Sequence, residues 1–190
     1  MSKEYFDDLT FNNKDFTQQD LLMGEYSDCR FTNCRMTGIN LSHFAFVDCE
    51  FVDCDLSNVR LSGCSFKTVS FVRSKLLGLH FEDCNEFLLD MNFNACDLSL
   101  SVFYNLELKG TEFINCNLQE VDFTGSNLSN AIFDNSNLMN AVFDHTNLES
   151  ADFRQAEAFA INPTINILKN SNFSKHNIEG LVIHLNINLH

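Results

Sequence analysis

Eight cysteines are the first candidates for chemistry in this 190-residue chain, because a thiolate can attack a substrate, bind a metal or form a disulfide. They form four pairs, each twenty residues apart: Cys29 and Cys49, Cys34 and Cys54, Cys64 and Cys84, Cys96 and Cys116. No Cys-x-x-Cys motif or Cys/His cluster occurs, so the spacing does not indicate a zinc site. We expect no metal.

The remaining ionisable groups also lack a catalytic arrangement. None of the six histidines stands in a metalloprotease-like frame, and His80 and His145 are expected on the outer surface. There is no glycine-rich phosphate loop and no Gly-x-Ser-x-Gly elbow. Asp and Asn recur just before an apolar residue as part of a repeat, which is not a reason to pair them as acid and base. We expect no cofactor and no enzymatic activity.

A repeat of five residues organises the sequence. Large apolar residues occupy every fifth position from Phe6 to Phe81 and, after a shift of two residues, from Leu88 to Phe153. This period fits neither a helix nor a strand, so it predicts a series of turns that each place one side chain inside. A smaller inward residue lies two positions earlier, and every cysteine holds such a position.

The twenty-residue cysteine spacing equals four repeats, which predicts a coil with four faces in which each residue stacks on the one twenty positions later. From Phe113 to Phe153 the large residue alternates between Phe and Leu, so Phe should line two opposite faces. Stacked cysteines would approach disulfide distance, but their side chains would point inward in parallel. We therefore expect buried, reduced thiols that pack as small apolar groups.

Repeats such as Ser126–Asn130 and Ala151–Gln155 give the chain a resemblance to the pentapeptide repeat family over residues 6–158. The resemblance implies an all-β solenoid, a right-handed quadrilateral β-helix. Residues 1–160 would form this β-helix, and residues 161–190 a C-terminal cap and dimerisation segment. At ~4.8 Å per coil, the repeats predict a rod about 36 Å long.

Two irregularities interrupt the pattern. The register slips at 82–87, which divides the repeats into two halves, and Leu88 should resume the inward series. The slip is either a tolerated kink or a small contact loop, and four polar residues would then be exposed on it: Glu82, Asp83, Asn85 and Glu86. The second irregularity is the end of the repeats near Pro163, after which one more coil could close through Leu168 and Phe173.

The C-terminal segment predicts a short helix, with Ser174 as a possible N-cap, followed by a strand-like alternation over 186–189. The helix would carry one apolar stripe: Ile178, Leu181, Val182 and Leu185. Such a stripe can cap the rod, form a dimer contact, or do both. The Asn-Pro-x-x-Asn layout at 162–166 and the Phe-Ser step at 173–174 resemble members that confer quinolone resistance or gyrase-poison immunity. That resemblance favours a homodimer through the C-terminus.

Charge supplies the functional indication. The formal net charge is −14, of which residues 76–160 contribute −12. Over a predicted 20 Å of rod this is about one charge per 1.7 Å, close to the charge density of duplex DNA. Acidity opposes direct binding to nucleic acid or to an anionic membrane. The acids expected to supply this field are Asp97, Glu107, Glu112, Asp122, Asp134, Asp144, Asp152 and Glu157.

The sequence therefore predicts a DNA-mimicking, cytoplasmic protein without catalytic activity. The resemblance implies that it binds a bacterial type II topoisomerase, gyrase or topoisomerase IV, and protects it from quinolones or a natural gyrase poison. The alternative is an acidic interaction scaffold with no topoisomerase target, whose charge serves solubility alone. The N-terminus shows no apolar secretion signal, and with so many free thiols this favours the cytosol.

Overall fold

The computed structural model describes residues 4–185 and residue 187, and the strand expected over 186–189 lies outside the described residues apart from Ile187. The backbone forms a right-handed, four-sided parallel β-helix. Its strands are β1 Glu4–Asp7, β2 Thr10–Asn12, β3 Gly24–Ser27, β4 Arg30–Thr32, β5 Ala45–Val47, β6 Glu50–Val52, β7 Ser65–Lys67, β8 Val69–Val72, β9 Met91–Asn94 and β10 Phe113–Ile114.

We number the four faces by their inward residues. Face 1 carries the sheet β1-β3-β5-β7 and face 2 the sheet β2-β4-β6-β8-β9-β10. Face 1 is lined by Phe6, Tyr26, Phe46, Phe66, Leu108, Leu128, Leu148 and Leu168. Face 2 is lined by Phe11, Phe31, Phe51, Phe71, Phe93, Phe113, Phe133, Phe153 and Phe173. Face 3 is lined by Phe16, Met36, Leu56, Leu76, Leu98, Leu118 and Leu138. Face 4 is lined by Leu21, Leu41, Leu61, Phe81, Phe103, Phe123 and Phe143.

The corners explain how a chain with seven glycines and one proline turns so often. Two residues after most inward side chains the backbone enters the left-handed region, as at Asn33 (φ 51°) and Asn130 (φ 61°). Asn and Asp tolerate this conformation better than other side chains, so they replace glycine. Gly125 (φ 72°) is required for a further reason, because a Cβ there would overlap the Asn105 side chain of the previous coil.

Stacked aromatic rings form the core. On face 2, Phe113 and Phe133 stack with centroids 5.2 Å apart, and Phe113 meets Phe123 of the opposite face edge-on at 5.6 Å. The predicted placement of Phe on two opposite faces is therefore confirmed for the C-terminal coils. In the N-terminal coils the second aromatic column lies on the adjacent face 1, where Phe46 meets Phe51 edge-on at 5.3 Å. The second column changes face at the register slip, so each coil keeps two large rings.

The cysteines occupy the small inward positions, and all eight are buried free thiols. The Cys49 Sγ donates to the Tyr26 carbonyl oxygen of the preceding coil at 3.3 Å. Burial raises the pKa of the Cys49 thiol to about 12, so it stays protonated at neutral pH. Hydrogen bonds from the Cys54 and Cys116 thiols instead lower the pKa of Cys34 and Cys96. All eight thiols are nevertheless buried away from reagents, and the prediction that they pack as small apolar groups is confirmed.

The register slip differs in detail from the prediction. Asn85 still keeps the twenty-residue spacing, because its N–H donates to the Cys64 carbonyl oxygen at 2.7 Å. From Met91 onward the spacing is 22 residues, with Val69 paired to Met91. The two extra residues therefore lie between Asn85 and Met91, on face 1, where its sheet ends. The inward position predicted for Leu88 is wrong: Leu88 is 63% exposed, and Leu89 packs against the core instead.

The last coil closes beyond residue 160, the predicted domain boundary. Asp152 pairs with Asn172, and Phe173 stacks on Phe153 with ring centroids 5.2 Å apart. The Asn177 Nδ2 then donates to the carbonyl oxygens of Phe153 and Ala156, at 2.8 and 3.0 Å. One amide side chain thus satisfies two backbone acceptors at the open end of the coil, which is the capping that the end of a β-solenoid requires.

The C-terminal helix is a pair of 3₁₀ turns, Ile178–Leu181 and Ile183–Leu185, and not the single helix that the sequence predicted. The Gly180 carbonyl oxygen accepts the Ile161 N–H at 2.9 Å, which ties the first turn to the last coil. Ser174 is not the N-cap, since the first turn begins at Ile178 and the residue at its N-cap is Asn177. Within the described part of the chain, no helix is long and apolar enough to cross a membrane.

Candidate protein-binding surface

Outward aspartates of the repeats have a structural role as well as a charge. An Asp or Asn that precedes the inward residue accepts the backbone N–H two positions later, as Asp122 does from Thr124 at 2.8 Å and Asn137 from Met139 at 3.1 Å. Because Asn makes the same bond, the turn does not require a carboxylate. The choice of Asp over Asn at such a position therefore adds charge without a structural need.

The eight predicted acids are not gathered on one side of the rod. Face 1 carries Glu107, face 2 carries Glu112, Asp134 and Asp152, face 3 carries Asp97 and Glu157, and face 4 carries Asp122 and Asp144. The three glutamates are exposed and the five aspartates half-buried. The acids therefore surround the rod rather than form a single patch.

Stacking separates the charges along each face. Asp97 and Glu157 lie at the two ends of a ladder on face 3 whose inner rungs are Asn117 and Asn137. The Asn127 Nδ2 likewise donates to the Glu107 Oε2 at 2.7 Å. In the described coils after the slip, no two acids at this repeat position pair directly. Neutral amides between the carboxylates allow a high total charge without adjacent like charges.

Basic residues cancel some of the charge on faces 1 and 2. Arg154 lies beside Asp152, with Nη2 2.6 Å from Oδ2, and this contact holds the pKa of the Asp152 carboxyl below its usual value. On face 1, the Lys169 Nζ lies 2.9 Å from the Glu149 Oε1. Asp152, although predicted as a contributor to the acidic field, is therefore locally neutralised.

The four polar residues predicted on the slip do not share one loop. Glu82 and Asp83 lie in a 3₁₀ turn, Phe81–Asp83, and the Glu82 Oε1 lies 2.8 Å from the His80 Nδ1. Asn85 and Glu86 are exposed at the start of the inserted segment. Beside them the insertion exposes Phe87, at 67%, and the Lys67 Nζ lies 5.3 Å from the centre of its ring. The sequence pattern did not identify Phe87, because the slip removes it from the repeat.

The predicted dimerisation residues differ in exposure. Ile178 and Leu185 are 49% and 53% exposed. Val182 is half-buried, and Leu181 packs against the core of the last coil. The apolar stripe is therefore divided: one side closes the end of the rod, and the other faces outward. Its role in dimerisation stays a prediction.

Exposed apolar residues on the C-terminal coils were missed by the sequence analysis, which considered only charges on the surface. The large ones on faces 3 and 4 are Leu100, Tyr104, Met139 and Val142. The five-residue period could have found them, because each occupies an outward position of its repeat. His80 and His145 were expected on the surface, and their side chains are 63% and 76% exposed.

Taken together, the four-sided parallel coil, the five-residue period and the polar outer ladders define the class of a repeat solenoid. The chain belongs to the pentapeptide repeat family. One model of the family, described as a pentapeptide repeat region, matches residues 24–86, and a second, described as eight copies of the repeat, matches residues 116–155. The two matches together span more than half of the chain, on either side of the register slip.

Among solved structures, the chain is similar to QnrB1, described as a plasmid-mediated fluoroquinolone resistance protein. A trypsin-treated variant of QnrB1 aligns with a TM-score of 0.62 and 20% identity, over 98% of this chain and 92% of that chain. Full-length QnrB1 aligns with a TM-score of 0.53 and 15% identity, over 97% of this chain and 100% of that one. At this identity the likeness establishes the fold. No curated protein sequence matches the chain.

Proposed function

We propose that this protein is a non-enzymatic DNA mimic that binds the basic DNA-binding surface of a bacterial type II topoisomerase, gyrase or topoisomerase IV. It protects the enzyme from quinolones or from a natural gyrase poison. The binding is cytoplasmic and needs no cofactor. The observation that carries the proposal is the net charge of −12 on residues 76–160, arranged on a rigid stacked rod.

The geometry of the rod suits this role. Successive coils hold carboxylates at fixed positions, as DNA holds its phosphates. Because the solenoid is already ordered, little conformational entropy is lost when these carboxylates bind a partner. The three glutamates are exposed, where they can meet Lys and Arg side chains of a partner. The likeness to the fold of QnrB1, described as a fluoroquinolone resistance protein, supports a role in protection from quinolones.

We further propose that the protein acts as a homodimer joined at its C-terminal cap. Ile178 and Leu185 present exposed apolar surface there, next to the closed end of the core. A tail-to-tail dimer would bury these side chains and double the length of the acidic rod. Both effects favour a long, two-fold symmetric ligand for a two-fold symmetric topoisomerase.

A gyrase supercoiling assay with purified protein, with and without a quinolone, tests the proposal. Restored supercoiling in the presence of the drug is the expected result. Inhibition without restoration would keep the binding but make the protein a regulator or an immunity factor for another poison. No effect with gyrase from several bacteria would contradict the proposal and favour the acidic scaffold.

A charge-neutralised variant tests the role of the C-terminal coils. The variant replaces four acids by their amides: Asp97→Asn, Glu107→Gln, Asp122→Asn and Glu157→Gln. A control variant makes the same charge change in the N-terminal coils: Asp8→Asn, Asp20→Asn, Asp28→Asn and Asp48→Asn. All of these positions except Asp20 are left-handed corners, which accept Asn. The first variant should lose gyrase binding and the control should retain it. Equal losses would mean that net charge alone controls the interaction.

A further inference from the structure

Face 4 differs from the other three faces along the C-terminal coils. As on every face, two columns of outward side chains lie on either side of the inward residues, and the difference is in the residue types that fill them. One column stacks His80, Val102, Asp122 and Val142 in consecutive coils. In the other column, the backbone bonds from Asn105 to Thr124 and from Gly125 to Asp144 place Glu82, Tyr104, Thr124 and Asp144 in equivalent positions.

The two columns combine acidic with exposed apolar side chains. Val142, 45% exposed, stacks directly on Asp122, whose carboxylate is fixed by its bond to the Thr124 N–H. Tyr104, 48% exposed, lies one coil earlier in the other column. Leu100, 53% exposed, extends this apolar surface at the corner between faces 3 and 4. An exposed aromatic ring with apolar neighbours and a polar border is typical of the energetic centre of a protein–protein interface.

Basic residues are excluded from this surface. In the described coils from 76 to 173, the three Lys and Arg side chains are Lys109 and Lys169 on face 1 and Arg154 on face 2. On face 4 the nearest is Arg60, in the coil that precedes His80. Glu82 and Asp144 each contact a histidine ring, His80 at 2.8 Å and His145 at 2.6 Å. No Lys or Arg of these described coils shares face 4 with them, so the face keeps its negative charge for a basic partner.

Face 2 offers the closest comparison and lacks this combination. Its outward Ile114 and Ile132 are half-buried. Asp152, which stacks on Ile132 in the next coil, is neutralised by Arg154. Face 1 carries two lysines, and its exposed apolar residue Ile167 lies in the same coil as Lys169.

Face 3 also combines an exposed apolar side chain, Met139, with acids, Asp97 and Glu157. Face 4 is set apart by an aromatic ring, because Tyr104 is the one exposed aromatic side chain in the described coils after the slip.

We infer that face 4, from His80 to Asp144, is the side of the rod that docks on the topoisomerase, with Tyr104 as its apolar anchor. This inference rests on the proposed function. It adds that binding is directional: one flat side of the coil contacts the basic surface, and faces 1 and 2 remain in solvent. Charge alone would allow any side of the rod to bind, whereas the apolar contacts select one side.

Substitutions that keep the net charge unchanged separate the faces. The test variant, Tyr104→Thr with Val142→Asn, introduces residues that the repeats already use at equivalent positions, Thr124 and Asn127, so the coil should fold. The control variant, Ile114→Thr with Ile132→Asn, makes the matched change on face 2. Thermal unfolding followed by circular dichroism verifies that both variants fold.

Surface plasmon resonance with immobilised gyrase measures the affinity of each variant. The face 4 variant should raise the Kd at least tenfold, and the face 2 control less than twofold. Equal effects on the two faces, or a normal Kd for the face 4 variant, would overturn the inference while the proposed function stands. Absence of binding by the unmodified protein would instead overturn the proposed function, and the choice of face with it.

Two single substitutions, compared with each other, provide a second measurement if the double variant fails to fold. Asp122→Asn keeps the turn bond on face 4, and Glu112→Gln removes the same charge on face 2. A directional interface predicts that Asp122→Asn weakens gyrase binding several-fold more than Glu112→Gln does. Equal weakening by the two substitutions would contradict a preferred face.

Discussion

The Asn117 Nδ2 donates a hydrogen bond to the Asp97 Oδ1 at 3.1 Å across one coil of the solenoid. The same carboxylate accepts the backbone N–H of Ser99, so it stabilises its own turn and binds the rung above at once. This contact shows how a chain of net charge −14 can stack its coils. Amides placed between carboxylates turn a column of like charges into a hydrogen-bonded ladder.

The turn bond gives a prediction about stability. Asp122→Ala removes the acceptor for the Thr124 N–H and should lower the free energy of unfolding by about 0.5–1.5 kcal/mol. Asp122→Asn keeps the acceptor and should leave stability unchanged or slightly raised. Urea unfolding followed by circular dichroism measures both. A loss as large for Asn as for Ala would mean that the charge, and not the turn bond, stabilises this corner.

The aromatic column gives a second prediction. Phe133 is fully buried and lies in the stack between Phe113 and Phe153. Phe133→Ala should cost about 3–5 kcal/mol of unfolding free energy, since each coil contacts only its neighbours and cannot close the cavity. Phe133→Leu introduces the residue type that lines most of face 3, and its loss of unfolding free energy should be less than half that of Phe133→Ala. Urea unfolding of the two variants tests the comparison.

Thiol reactivity provides a third prediction. All eight cysteines are buried and free, and burial raises the pKa of both Cys49 and Cys84. Ellman's reagent at pH 8 should therefore react slowly with the native protein. In 6 M guanidinium, where the coils are unfolded, it should react with all eight thiols. Fast reaction of the native protein would show that the coils open locally.

Salt should weaken the proposed topoisomerase complex steeply. A rod that mimics DNA replaces counterions on a basic surface, so the logarithm of the affinity should fall linearly with the logarithm of salt concentration. Binding measured between 50 and 300 mM potassium chloride gives the slope. The charge-neutralised variant should show a shallower slope than the N-terminal control, and an affinity independent of salt would contradict electrostatic mimicry.

The C-terminal cap gives the last prediction. Ile178→Ser with Leu185→Ser changes two exposed side chains and should convert a dimer to a monomer, as measured by light scattering. Leu181→Ser is the matched control, since Leu181 packs against the core and its loss should destabilise the cap instead. If the Ile178 and Leu185 variant remains dimeric, the exposed residues are not the dimer contact.

The five-residue period and the twenty-residue spacing of the cysteines together determined the solenoid, its four faces and the buried position of every cysteine. This was possible because each repeat is a local turn, and the stacking of one coil on the next repeats the same contacts. The sequence also located the slip and the end of the repeats, where the period fails.

Only the tertiary structure decided what happens at those interruptions. Leu88 fitted the period but lies in solvent, because the two inserted residues leave no neighbouring coil to cover it. The stripe from Ile178 to Leu185 fitted an α-helix, yet the segment forms 3₁₀ turns because Gly180 bonds to Ile161 in the last coil. Likewise, nothing in the order of the residues favours one side of the rod, since charge and apolar surface combine on face 4 only when distant repeats are stacked.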